Sequence, residues 1–231
     1  MIKITKIKLF LWKVTQWLEK PTQQQIHSLL RRYYEVGNFL FTRKYKLEFD
    51  GIIPCSELFV ESEYSKKNAS AYQAYGSYYF KLLLNNAISL EKKPKYFIDV
   101  GCGKGKQCIY AHKYFKFESI IGIDFSKDLI DIANKNLSKL NYNTINFLVA
   151  DALTWKLPNE YCFIFIYNPF NEVILNEFIK NNIDNFKNKG SVFCYANDLF
   201  RNVLIDNGFV VSYRDNQSNS IYKIKELQRS D

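Results

Sequence analysis

The chain has 231 residues, 47% of them hydrophobic, enough for a sizeable core. Its formal charge of +9 is uneven: residues 1–50 carry ten Lys/Arg against four acids, which leaves contact with nucleic acid, an anionic membrane surface or an acidic partner open, beside a plain compositional bias. A membrane-spanning helix is excluded because no stretch approaches the ~18 continuous apolar residues one requires. The apolar run Leu9–Trp12 is too short for a secretory leader, and the five cysteines form no Cys-x-x-Cys pair, so neither secretion nor a zinc site is expected. Free thiols in the cytoplasm are the simplest reading.

Met1–Lys20 mixes Lys3, Lys6, Lys8 and Lys13 with Ile, Leu, Phe and Trp, and reads as an amphipathic helix. Packing on the domain or on a partner suits it better than lying peripherally on a membrane. Gln23–Phe41 is apolar at helical spacing, Tyr45–Phe49 looks like a short strand, and Gly51-Ile52-Ile53-Pro54 a turn or entry loop. Glu61–Ser70 is mostly polar and reads as a mobile stretch. Tyr75–Leu90 carries Tyr79, Phe80, Leu82, Leu83, Leu84 and Ile88 on a helical stripe. Residues 1–90 thus form a mainly helical N-terminal region.

Residues 91–231 alternate strand and helix. Tyr96–Val100 is an apolar run holding a carboxylate, Asp99, and it breaks into Gly101-Cys102-Gly103-Lys104-Gly105. A second strand, Ile120–Asp124, also ends in an acid, 25 residues after Asp99. Together they describe a small-ligand site at the carboxyl edge of a parallel sheet, with glycines letting the backbone approach the ligand. Asp124 is placed to accept from ribose hydroxyls. Asp99 at the mouth of the turn would repel a pyrophosphate but suits a ligand with cationic groups.

Helices are expected at Lys106–Phe115, at Lys127–Leu140 with Ser126 as N-cap, from Glu172 to Phe186, and at Asp198–Asn207. Strands are expected at Thr144–Val149, Tyr161–Ile166 and Ser191–Ala196, and a closing hairpin at Phe209–Tyr213 and Ser220–Ile224. The fold class is α/β: a doubly wound, mostly parallel seven-stranded sheet ending in an antiparallel hairpin. There is no internal repeat.

In its Asp-x-Gly-x-Gly-x-Gly turn the chain resembles the class I, Rossmann-like methyltransferases that use S-adenosylmethionine (SAM), a ligand with an ammonium, a sulfonium and no phosphate. The resemblance implies SAM binding through Asp99, Gly101, Cys102, Gly103, Asp124 and Phe125. It also implies that Asp151, closing the third strand, accepts the adenine amino group while the backbone of Ala152 reads a ring nitrogen. Tyr167-Asn168-Pro169-Phe170 closes the fourth strand and is similar to the Asn/Asp-Pro-Pro-Tyr/Phe motif of amino-group methyltransferases, with one proline where that motif has two. Asn168, Pro169 and Phe170 are therefore the expected catalytic residues, aiming an amine at the methyl group. The front of the chain, Gly51–Pro54 and Ser70-Ala71-Tyr72, resembles a small bacterial group distantly like the non-SET protein-lysine methyltransferases. There the segment before the first motif closes over the cofactor, and Tyr72 and Tyr75 are the candidates here. A protein lysine is the expected target. An exocyclic base nitrogen in RNA or DNA is the alternative, and a non-catalytic binding module a third. No metal is implied.

Overall fold

A computed structural model describes residues 22–60 and 62–225, and the expected helix at Met1–Lys20 lies outside them. The chain divides into two units, Met1–Phe41 and Thr42–Asp231. Helix α1, Gln23–Tyr45, begins in the first and ends in the second, and presents exposed Arg31, Arg32, Arg43 and Lys44.

In the second unit, a two-residue strand β1 (Ile52–Ile53) pairs antiparallel with β2 (Tyr72–Gln73), and helix α2 (Glu63–Asn68) lies between them in sequence. Helix α3 (Ser77–Leu90) leads into the main sheet. That sheet is built from β3 (Tyr96–Val100), β4 (Ser119–Asp124), β5 (Ile145–Val149), β6 (Cys162–Ile166), β7 (Val192–Tyr195), β8 (Phe209–Arg214) and β9 (Ser220–Ile224), in spatial order β5-β4-β3-β6-β7-β9-β8. The first five strands named in that order run parallel, and β9 and β8 close the edge antiparallel. The expected seven-stranded architecture with its terminal hairpin is what the molecule has.

The reason lies in the strand sequences. Every residue of Cys162-Phe-Ile-Phe-Ile is buried, as both faces of a helix-covered parallel sheet require. The covering helices are α4 (Lys106–Phe115) and α5 (Lys127–Leu137) after β3 and β4, then α6 (Glu172–Asn181), α7 (Ile183–Lys189) and the short α8 (Arg201–Asp206). Phe178, Phe186, Phe193 and Phe209 fill the space beneath the last three. The chain winds outward from β3 to β5 and then returns to place β6 on the other side of β3. The carboxyl ends of β3 and β6 therefore flank the switch point where such sheets open a crevice.

Four expectations need correction. Tyr45–Phe49 is not a strand: Tyr45 ends α1 and the rest is extended coil. Leu47 and Phe49 are buried while Glu48 and Asp50 face out, so the alternation is real. The partner, however, is one side chain. Asn136 Oδ1 accepts from the Glu48 N–H at 2.8 Å, and its Nδ2 donates to Glu48 O at 2.9 Å and to Lys104 O at 3.1 Å. This fully buried amide does the work of a neighbouring strand. Replacing it (Asn136→Ala) is expected to lower the unfolding free energy by about 2 kcal/mol, since buried backbone groups lose their partners, and urea unfolding would show it.

Glu61–Ser70 contains helix α2 rather than loose chain, and Ser62 Oγ caps it by accepting from Ser65 N at 3.1 Å. Gly51–Pro54 holds β1 rather than a turn alone. The helix expected from Glu172 to Phe186 is broken at Asn182. Its side chain accepts from Leu157 N at 2.8 Å and donates to Phe178 O at 2.9 Å, so it competes with the helical ladder.

Candidate active site

Three strand ends each deliver an acid. Asp99 lies in β3 and is 3% exposed. Its carboxylate takes one weak bond, from the Cys108 thiol at 3.6 Å. Burial pushes Asp99 up to about 8, Asp124 nearby adds to the rise, and the thiol opposes it. Asp124, at the end of β4, has both oxygens engaged. Oδ2 accepts from Gly103 N and Oδ1 from Ser126 N, each at 2.9 Å, so it fixes the glycine turn and the start of α5 together. Burial raises it to about 6 against those two bonds. Asp151 follows β5. Its Oδ1 accepts from Leu153 N at 2.9 Å, and Oδ2 accepts from the Ser65 hydroxyl of α2. A carboxylate offers about four lone-pair positions, so Asp124 and Asp151 can each accept further donors.

The glycine turn is drawn tight. Gly101 has φ 77°, and a methyl group there would stand 2.8 Å from Pro169 Cγ and closer still to Pro169 Cβ. The backbone of the first motif thus lies directly against the Pro169 ring of the Asn-Pro-Phe segment. Gly103 (φ 52°) sits under the Tyr72 ring. Lys104, 4% exposed, reaches back to Glu48 Oε1 at 3.1 Å and Asp50 O at 2.8 Å, tying the turn to the coil before β1.

These parts surround a cleft of about 900 Å³, counting its open mouth. Tyr72, Tyr75, Asp99, Gly101, Cys102, Asp124, Phe125, Asp151, Ala152, Pro169 and Phe170 line it, so eleven of the thirteen residues expected from sequence meet around one space. Gly103 and Asn168 are not among the lining. Gly103 contributes its N–H to Asp124. Asn168 (φ 44°) turns inward: its Oδ1 accepts from the Tyr195 hydroxyl and its Nδ2 donates to Asn197 O, both at 2.7 Å.

The far wall comes from the segment between β1 and α3. Leu58, Ser65 and Ala69–Tyr75 line the cleft. Ser70 N donates to Pro169 O at 2.9 Å, Asn171 N to Asn68 O at 2.9 Å, and Asn171 Nδ2 to Asn68 Oδ1 at 2.7 Å. Tyr72 is held by its hydroxyl, which donates to Phe49 O at 2.6 Å. Tyr75 is held at three points. Its hydroxyl donates to Asn219 Oδ1 at 2.5 Å, its ring lies 4.6 Å from that of Tyr167, and its carbonyl accepts from Lys106 Nζ and Gln107 Nε2, each at 3.0 Å.

Ser65, Lys106 and Gln107 are lining residues that the sequence reading missed, and Tyr167 lines the cleft as well, although it was quoted only as the first residue of the fourth-strand motif. Only Lys106 and Gln107 carried a signal, two polar residues opening the helix after the glycine turn. Neither histidine lines the cleft; His112 is engaged with Thr144 and Tyr142.

The cleft suits a cationic, adenosine-bearing ligand. A buried carboxylate with one weak partner, two hydrogen-bonded acids and the ring of Phe125 line it together. A seven-stranded sheet of this order, with its cleft at the ends of β3 and β6, defines the class I methyltransferase fold. Residues 91–230 match the family described as a methyltransferase domain, and the chain belongs to that family. S-adenosylmethionine is its cofactor.

Among curated proteins, a tRNA (uracil(54)-C(5))-methyltransferase of Schizosaccharomyces pombe is 32% identical over 95 residues, covering 41% of this chain. The chain spans only 18% of that relative's length. Among solved structures, the ribosomal protein L11 methylase of Lactobacillus delbrueckii subsp. bulgaricus has a TM-score of 0.51 at 19% identity, covering 67% of this chain and 81% of that one. A putative S-adenosyl-L-methionine-dependent methyltransferase of Methanococcus maripaludis also has a TM-score of 0.51, at 18% identity, covering 66% and 87%. These likenesses show the fold. No helix among the described residues is long and apolar enough to cross a membrane.

Proposed function

We propose that the protein transfers the methyl group of SAM to an amine nitrogen, and that its target is a lysine side chain of a protein. One observation carries this reading. The cleft wall at the carboxyl end of β6 is aromatic, made of Tyr75, Phe165, Tyr167 and Phe170 with Pro169, and this wall itself holds neither a histidine nor a carboxylate. A hydroxyl acceptor needs a general base poised near neutral pH. An amine needs only to lose its ammonium proton, and burial against aromatic surface moves its pKa down, in the required direction.

The bound cofactor supplies a methyl group already activated on a sulfonium. The chain's own residues then align and exclude water, which can supply most of the acceleration. Pro169 and Phe170 form the floor beneath the incoming nitrogen, and Tyr75 and Tyr167 its wall. Asn168 serves by position: its two internal bonds set the backbone from which Pro169 and Phe170 project. Asn168→Ala should therefore slow transfer while leaving the affinity for S-adenosylhomocysteine within a few-fold of wild type. The domain division we favour sets residues 1–90 apart as an N-terminal region and makes 91–231 the cofactor-binding domain; of the first, Leu58, Ser65 and Ala69–Tyr75 line the cleft.

Incubation with radiolabelled SAM and a cell lysate tests the target. Label should be lost on protease treatment and appear as methyl-lysine after hydrolysis. Label that survives protease but not nuclease would favour the RNA or DNA reading, for which the basic residues of α1 and the tRNA-methylating relative speak. A filter-binding series in salt would then fall steeply. Tight cofactor binding with no transfer to any pool would favour a binding module.

A further inference from the structure

The turn between β8 and β9 ends in a buried amide. Asn219 is 1% exposed although it belongs to a hairpin turn. Two neighbours fix which end of its amide is which. The Asn197 N–H can only donate, and it meets Oδ1 at 3.2 Å. An ionised carboxylate only accepts, and Asp215 Oδ2 meets Nδ2 at 2.8 Å. The Tyr75 hydroxyl is then the donor in its bond to Oδ1, and it fills the second lone pair of that oxygen. The two donors come from distant parts of the chain. Tyr75 ends the wall segment before α3, and its ring lies 4.6 Å from that of Tyr167, both lining the cleft. Asn197 follows β7, and its carbonyl accepts from Asn168 Nδ2 at 2.7 Å, so it holds the residue before Pro169.

The backbone here is strained. Asn168, Asn197 and Ser218 have φ of 44°, 54° and 61°, three of the five non-glycine residues with positive φ among those described. Such conformations persist only where the surroundings impose them, and they cluster at functional sites. Here hydrogen bonds impose them: Asn168 on Asn197, Asn197 on Asn219, and Ser218 O accepting from Asp198 N at 2.8 Å. We propose that Asn219 is a positioning residue for methyl transfer: one amide of the terminal hairpin holds Tyr75 and the Asn197–Asn168 pair at a set separation, and with them the wall and floor that receive the acceptor. The proposal rests on the reading of that wall and floor as the acceptor's place. Asn219 acts through these residues and does not itself line the cleft. The Tyr75 backbone is secured separately, by Lys106 and Gln107 on its carbonyl, so loss of Asn219 frees the ring and spares the three acids.

Asn219→Ala should slow the transfer of label from saturating radiolabelled SAM to lysate protein by about tenfold or more, with affinity for S-adenosylhomocysteine, read by calorimetry, within about twofold of wild type. Exchanging the pair, Asn219→Asp with Asp215→Asn, turns a carboxylate toward Tyr75 and Asn197 with an amide behind it, so every donor still meets an acceptor. The exchanged pair should recover most of the rate, and Asn219→Asp alone, which sets two carboxylates face to face, should not. An unchanged rate in Asn219→Ala, equal losses of rate and affinity, or an exchanged pair no better than Asn219→Asp alone would overturn the proposal. Should these variants fail to fold, Tyr75→Phe removes one hydroxyl from the same amide and should slow transfer about threefold with affinity again spared; an unaltered rate would refute the linkage. The side-chain amide ¹⁵N resonance of Asn168 reports without any acceptor. It should move in Asn219→Ala and in Tyr75→Phe while that of Asn136 stays put. If wild type labels nothing in the lysate, the amine-transfer reading has failed, and an unmoved Asn168 resonance would then sink this proposal by itself.

Discussion

Replacing Asp99 by asparagine should make the ligand-free protein more stable at pH 8 and make it nearly blind to the cofactor. Burial raises the Asp99 carboxyl to about 8, far above the unfolded value near 4. The sign follows directly. The contribution of this group to stability is complete below about pH 4 and is lost progressively as pH rises to 8, because only the unfolded chain ionises it cheaply. At pH 8 a neutral isostere escapes that loss, so Asp99→Asn should gain on the order of 1–3 kcal/mol there and nothing at pH 4. Binding moves the other way. A cationic ligand prefers the carboxylate, so wild-type affinity for S-adenosylhomocysteine should rise between pH 6 and 8, with a proton released to buffer. Above about pH 8 the ligand's own α-amino group deprotonates and the gain ends. The variant should lose this pH dependence and about 100-fold in affinity, near 2.7 kcal/mol. Melting curves with and without ligand at two pH values, and calorimetry in two buffers, give the measurement. A flat wild-type profile would mean that Asp99 does not face the cationic end.

The second large effect is expected at Gly101. An alanine there meets two obstacles, a left-handed backbone and the ring of Pro169. Pro169 is not a flexible side chain that can swing aside, because its own carbonyl is bonded to Ser70. Gly190 provides the control: its φ is 70°, close to the 77° of Gly101, but nothing lies within 4 Å of an added Cβ. Gly190→Ala should cost about 1 kcal/mol, the left-handed strain alone. Gly101→Ala should cost about 2–4 kcal/mol, because overpacking adds to it. It should also abolish cofactor binding and transfer together, since Pro169 and the turn must move apart. Urea unfolding of both variants separates the two contributions, and equal costs would show that the contact with Pro169 is soft.

The parts of the molecule that could be read from the chain are those where local pattern and global role coincide. β3, β4 and β6 are apolar runs that break into turns, and the three acids mark the carboxyl ends of β3, β4 and β5. Lys106–Phe115 was read to the residue because glycine precedes it and a buried stripe runs through it. Errors fell where a tertiary partner stands in for a regular one. Leu47 and Phe49 alternate like a strand because Asn136, 88 residues from Glu48, supplies the ladder. α2 was hidden because it is polar, although Ser62 before Glu63 was a legible cap. The Asn182 break depends on a bond to Leu157, 25 residues upstream, which no local rule contains. The site followed the same division. Residues carried by motifs assembled, but the inward turn of Asn168 depends on Tyr195.

The acids of the cleft differ in what they give the empty protein, and that difference bears on descent. Asp124 holds the glycine turn and the cap of α5, and Asp151 holds its own turn and Ser65, so both would be retained by a descendant that had abandoned the reaction. Asp99 gives the unliganded fold little and burdens it with a poorly partnered buried carboxyl. Drift relieved of selection for the ligand would replace it first, by a residue that stabilises the fold. Among relatives of this chain, an asparagine or leucine at that position, with Asp124 and Asp151 intact, would be the mark of a lineage that kept the architecture and gave up the cofactor.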